Sequence, residues 1–227
     1  MRRFSFAMMM LLLIASTASA QRRPRGFTSD PDSWLSAGVA GITGDGVNDG
    51  STASTWDFGN AMNWQYSISL EKTVGSGTSL GLGGSYARIP FVYRGPAVPV
   101  INGSGATCTS CEAHLDMTTV VATLHIGAGS GFHQAIEVNG GIVSYARLTS
   151  DSNGERLAGG NNIDPVVSGG WGFGYGFDER TQIEFVPEWS LAIHERTGLS
   201  NGVRNTNIVR TLKLSFRMGF GARSVRR

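Results

Sequence analysis

The chain has 227 residues, of which only 16% are charged and 32 are glycine, and its 19 basic residues nearly balance 17 acidic ones. Soluble domains cover themselves with charge and nucleic-acid binders concentrate Lys and Arg, so this composition speaks against both classes. Lys72 and Lys213 are the only lysines.

Met1 to Ala20 carries Arg2 and Arg3, an apolar run from Phe6 to Ile14 and the small residues Ala18-Ser19-Ala20. This is the pattern of a secretory signal peptide (1–20) cleaved near Ala20, and its apolar run is too short for a spanning helix. Losing Arg2 and Arg3 leaves 17 basic against 17 acidic residues, a formally neutral mature chain. Residues 21–33 are polar, with Pro24 and Pro31, and read as a periplasmic lead-in.

The remainder reads as strands. The first runs from Trp34 to Thr43, and Gly44 to Thr55 is a loop rich in Gly, Asp and Asn. In the second, Trp56 to Glu71, Trp64, Tyr66, Ile68 and Leu70 alternate with Gln65, Ser67, Ser69 and Glu71. A short connection leads to the third, Ser79 to Ile89, whose small residues share one face. Pro90 to Ala113 holds three prolines and both cysteines and is assigned to a long loop. The fourth strand, His114 to Ile126, has apolar residues on both parities, which leaves its facing open. A tight turn, Gly127 to Gly131, precedes the fifth, Phe132 to Leu148, with Ile136, Val138 and Ile142 opposite Glu137, Asn139 and Gly141. Thr149 to Asp164 is a loop.

The sixth strand carries the strongest pattern. From Ser168 to Phe177, Trp171, Phe173, Tyr175 and Phe177 alternate with glycines, so one face is aromatic and the other bare. Bulky groups outside and nothing inside suit a barrel whose solvent is lipid. After the turn Asp178 to Thr181, the seventh strand spans Gln182 to His194, with Pro187 on the lipid side marking a bulge or a lost ladder bond. Glu195 to Thr206 is a loop. The eighth strand, Asn207 to Gly221, places Leu212, Leu214, Phe216, Met218 and Phe220 outward and Lys213, Ser215 and Arg217 inward. Connections alternate long and short, so every long loop falls on one side of a membrane. The expected fold is all-β, an eight-stranded antiparallel up-and-down transmembrane β-barrel over 34–221 with a short tail at 222–227.

Through this alternation, this loop rhythm and the final strand from Leu212 to Phe220, the chain resembles the small OmpA/OmpX-type outer-membrane barrels. The resemblance implies residence in the bacterial outer membrane among lipid and lipopolysaccharide, insertion by the barrel-assembly machinery, and a structural or surface-interaction role with an extracellular ligand that the sequence leaves unnamed. The alternative is a narrow conduit or small apolar-ligand carrier, with a lipid A-modifying enzyme as a third class. For the last, His194-Glu-Arg196 lacks the His-x-Ser-Asn pattern that such deacylases resemble, and Ser200 comes too late in a loop.

No cofactor, metal ligand set or catalytic constellation emerges. Cys108 and Cys111 lie in an exported loop, where a disulfide is the expected state; with His114 they make a Cys-x-x-Cys-x-x-His spacing that lacks a fourth zinc ligand. The stretch Asp45 to Gly50 lacks the ligand positions of a calcium loop and reads as turn chemistry. On the inner face, a hairpin register placing Glu184 opposite Arg217 and Glu188 opposite Lys213 would pair both charges inside the barrel, and Phe185 with Phe216 outside it. These four residues are the expected structural ion pairs of a lumen filled by side chains.

Overall fold

The computed structural model describes residues 31–44, 48–49, 54–56, 63–99, 107–152, 154, 156, 162–194 and 206–221. Residues 1–20, expected to be a signal peptide, most of the lead-in, the segment after His194 and the tail at 222–227 lie outside them. The described residues form ten strands: β1 Ser33–Gly44, β2 Asn48–Asp49, β3 Ser54–Trp56, β4 Asn63–Gly75, β5 Thr78–Pro99, β6 Thr107–Ile126, β7 Gly131–Ser150, β8 Asn162–Gly176, β9 Thr181–Ile193 and β10 Thr206–Phe220. Every pairing is antiparallel. β1 lies between β10 and β4, and the β5–β6 pairing closes β1 and β4–β10 into an eight-stranded barrel. Closure leaves no sheet edge within the wall, which a bilayer requires.

Alternation sets the wall. Trp64, Tyr66, Ile68, Leu70, Leu82, Phe132, Phe173, Phe185 and Leu214 all point outward and are exposed, Leu82 at 67% and Phe132 at 73%. On the same strands Glu71, Glu137, Asn139, Glu184 and Arg217 point inward and are buried. This is inside-out relative to a soluble protein, and the outer apolar surface is the lipid band. No helix among the described residues is long and apolar enough to cross a membrane.

The glycine face of β8 is not empty space. A Cβ on Gly172 would run into the carbonyl of Phe185 on the next strand, and one on Gly174 would meet the His133 imidazole. The bare face therefore lets β8 and β9 lie tightly coiled against each other and gives His133 a seat inside the wall.

Several expectations need correction. The segment assigned to a loop at Pro90 to Ala113 is largely strand: β5 continues to Pro99 and β6 begins at Thr107, with a register shift between Arg94 and Val98. Pro90, Pro96 and Pro99 all lie in β5 beyond Ala87, the last residue that pairs with β4. The second barrel strand starts at Asn63 and not Trp56, which belongs to the short β3 paired with β5. Pro31 and Asp32 are tied down, since Asp32 N–H donates to the Phe220 carbonyl and Thr73 Oγ1 to the Pro31 carbonyl.

The β9–β10 register is also two residues away from the expected one. Arg217 faces Gln182, Lys213 faces Val186, Glu184 faces Ser215 and Glu188 faces Thr211; outside, Phe185 faces Leu214 and Phe216 faces Ile183. A slip of two keeps every side chain on its face, so alternation could not detect it. At Pro187 the β8–β9 ladder skips the Trp171 and Gly172 pairings but resumes in the same register, a lost bond without a bulge. A true irregularity lies in β7. Arg147 has φ 56°, and the β6–β7 register shifts between His114 and Asp116, so Tyr145 and Leu148 both point inward.

Candidate functional site

The lumen is stratified along its axis, and the stratum nearest the short turns is a charged floor. Its hub is Arg217, 1% exposed. The Arg217 Nη2 group donates to Glu71 Oε2 at 2.6 Å and to Ser79 Oγ at 3.1 Å. Nη1 donates to Glu184 Oε1 at 3.2 Å and to His125 Nε2 at 2.8 Å, and Nε to Ser36 Oγ at 3.2 Å. The guanidinium also lies 5.0 Å from the centre of the Trp34 ring. These partners come from β1, β4, β5, β6 and β9, so a single planar fork ties together five strands besides its own.

One stratum higher, Lys213 bonds Glu137 and lies 3.7 Å from Glu188 Oε2. Glu188 Oε1 accepts from Ser168 and, at 3.1 Å, from Asn139 Nδ2. Above these groups is a cavity of about 110 Å³. One wall carries Glu137, Asn139, Ser168, Glu188 and Lys213; the wall from β1, β4 and β5 carries Ser36, Gln65, Ser67, Ser69, Ser85 and the glycines at 38 and 83, with Glu71. A volume of that size holds a few waters. It ends at an apolar roof of Ile42, Ile89, Leu115, Met117, Val143, Tyr145, Leu148, Val166 and Val209 toward the long loops.

The four residues singled out from sequence thus gather in this interior, in pairs made by diagonal reach and not by direct opposition. Arg217 meets Glu184, and Lys213 meets Glu188 at the longer distance while bonding Glu137 more closely. Sequence reasoning missed Glu71, His125 and Trp34 as floor members. Their parity was readable, but nothing local in the chain says that β4 and β6 meet β10 across a lumen.

Cys111 is disulfide-bonded and packs against the apolar roof. Cys108, the other cysteine of the sequence, lies on β6 opposite Val98, with its side chain outside the described residues. His114 does not join Cys111; on the adjacent parity it contacts Asp151 Oδ1 at 2.5 Å. His194 contacts Asp164 Oδ2 at 2.9 Å at the long-loop end, with Asn162 beside both. Ser200 and most of the Asp45–Gly50 stretch lie outside the described residues.

No protein-family model matches the chain, and no curated protein matches its sequence. Solved structures do. The Neisserial surface protein A structure is similar over 83% of this chain and 97% of its own, at 12% identity and a TM-score of 0.49. The outer-membrane protein OprG from Pseudomonas aeruginosa matches over 85% and 98%, at 13% identity and 0.47. AlkL, solved in lipid bilayers, matches over 90% and 98%, at 12% identity and 0.46. These neighbours are small bacterial outer-membrane eight-stranded barrels, and each TM-score is below 0.5.

Proposed function

We propose that the chain is a bacterial outer-membrane barrel of the structural, surface-interaction type, exported by its amino-terminal segment and presenting its long-loop end outside the cell. The observation that carries this reading is the length of the β5–β6 hairpin. Its strands have 22 and 20 residues, against 12 in β1 and 13 in β4 and β9. The lipid band on β5 ends at Tyr86, whereas the strand continues to Pro99, roughly 40 Å farther along its axis. The β4–β5 ladder ends at Ala87 and the β6–β7 ladder at Ala113 and Ser150, and beyond them β5 and β6 run on paired to each other, with the short β3 on β5 at Phe91 and Val92 and Asp151 N–H on the Glu112 carbonyl. An extended β surface carried outside by a rigid anchor fits docking of a partner.

The interior supports an anchor and not a pore. The Arg217 hub fills one end and the apolar roof the other, with a cavity of only about 110 Å³ between. That cavity favours the second reading, a carrier of a small solute, if the roof opens. Two measurements test the proposal together. Tags inserted near Gly50, Gly103, Gly159 and Gly202 should be labelled on intact cells, and tags near Gly75 and Gly129 should not. The purified barrel should give no conductance steps in planar bilayers; regular steps, or surface labelling at the short turns, would overturn it.

A further inference from the structure

The charges of the floor do not close among themselves. Glu71, Glu137, Glu184 and Glu188 are four carboxylates, and the permanent cations among them are Arg217 and Lys213. Arg217 is shared between Glu71 and Glu184, and Lys213 between Glu137 and Glu188, which leaves two negative charges without a permanent cation. Buried charge without compensation is costly, so something must neutralise it.

The surplus falls beside imidazoles. One ligand atom each from His125, Glu137 and Glu184 lies within 4.8 Å of the others, and all three residues are buried. His125 Nε2 is 3.2 Å from Glu184 Oε1. Glu184 is 1% exposed, yet its Oε2 makes no hydrogen bond. His133 Nε2 makes none either and stands 3.8 Å from Glu184 Oε1. Two unused ligand atoms, one nitrogen and one oxygen, thus meet at the carboxylate where the excess negative charge lies.

We propose that this floor binds one divalent transition-metal cation through His125, Glu137 and Glu184, with His133 Nε2 as a fourth donor. Two negative charges and one such cation sum to zero, which bound water would not achieve. Imidazole with carboxylate selects zinc-like and other first-row metals over calcium or magnesium, which take oxygen alone. Arg217 need not leave, because Glu71, Ser79, Ser36 and Trp34 hold it when Nη1 releases His125. Glu137 also lines the cavity above, so the site borders space that holds water.

The test uses the mature chain without a histidine tag, refolded in detergent micelles, stripped with a chelator and titrated with Co²⁺. His114→Gln and His194→Gln are introduced first to remove the exposed imidazoles. One equivalent of Co²⁺ should bind with a visible absorption band and be displaced by Zn²⁺. His125→Gln and Glu137→Gln should each weaken binding at least about tenfold, the lower end of what losing even a supporting residue costs a metal site. Asp178→Asn, on the exposed turn before β9 and outside the floor, should retain the site. Should a variant fail to refold, the parent decides the matter, since Zn²⁺ must then raise its thermal unfolding midpoint. A folded parent that binds no Co²⁺ and gains nothing from Zn²⁺ overturns the site, as does undiminished binding in His125→Gln and Glu137→Gln.

Discussion

The two halves of the lumen are built on opposite principles behind one continuous lipid band. Toward the short turns the interior is charged and held by a few directional bonds around Arg217. Toward the long loops it is apolar and packed like a soluble core, from Ile42 and Ile89 to Leu148 and Val209. The contrast teaches that the outside of a barrel fixes its pattern while the inside needs only to be filled. It also separates two kinds of failure. A floor mutation leaves a charge stranded, and a roof mutation leaves a void.

The largest effect should come from the floor. Arg217→Met strands Glu71 and Glu184 together and should cost about 3–5 kcal/mol in the refolded barrel. Glu184→Gln should cost less, because Glu71 still holds the guanidinium. The double variant should recover part of the Arg217→Met loss and no more, since Glu71 stays unpaired. A double-mutant cycle by urea unfolding in lipid measures this, and strict additivity would mean that the two side chains are not coupled. In the roof, Leu115→Ala should cost about 3 kcal/mol by transfer and cavity terms. Its signature is different: the loss should not respond to a charge change at position 184.

Between these strata and lipid, the outer face should show a sharper rule. Leu214→Arg places a cation in hydrocarbon and should cost about 2–4 kcal/mol, falling toward zero for an Arg introduced near the ends of the band. Tolerance of Arg at Leu214 equal to that at the band's edges would break the assigned facing.

These differences also explain what could be read from the chain. Where the interior is polar, as beneath Gln65 to Glu71 or Lys213 to Arg217, alternation marks strand and facing at once. Where it is apolar the signal cancels: Met117 and Val121 fill the inside while Val120 meets lipid, so β6 showed apolar residues on both parities. The bulge at Arg147 re-phases β7 through a positive φ that no residue type announces, since Arg is not a residue that favours it. Charge complementarity placed Glu184 and Arg217 on one face and assumed direct opposition. In a tilted barrel a long side chain reaches diagonally, so Arg217 sits opposite Gln182 and bonds the residue two places on. Its bond to Glu71 crosses β1 altogether and has no counterpart in sequence spacing.

The smallest expected effect lies where the wall itself is imperfect. The β8–β9 ladder is interrupted where Trp171 would face Pro187, and the β9–β10 register runs through the same residue unbroken as Leu212 with Pro187. Proline has no N–H, so one wall bond is missing at a lipid-facing position, where no water can replace it. Pro187→Ala would restore a donor, worth about 0.5–1.5 kcal/mol net. The same change loosens the unfolded chain, which costs about 0.4–1 kcal/mol. The two largely offset, so the net change should lie between about −0.5 and +1.1 kcal/mol, while amide exchange should reveal a newly protected N–H at position 187. A clear destabilisation without that protection would mean that the pyrrolidine ring is itself part of the packing, and that the interrupted ladder is a feature the wall depends on.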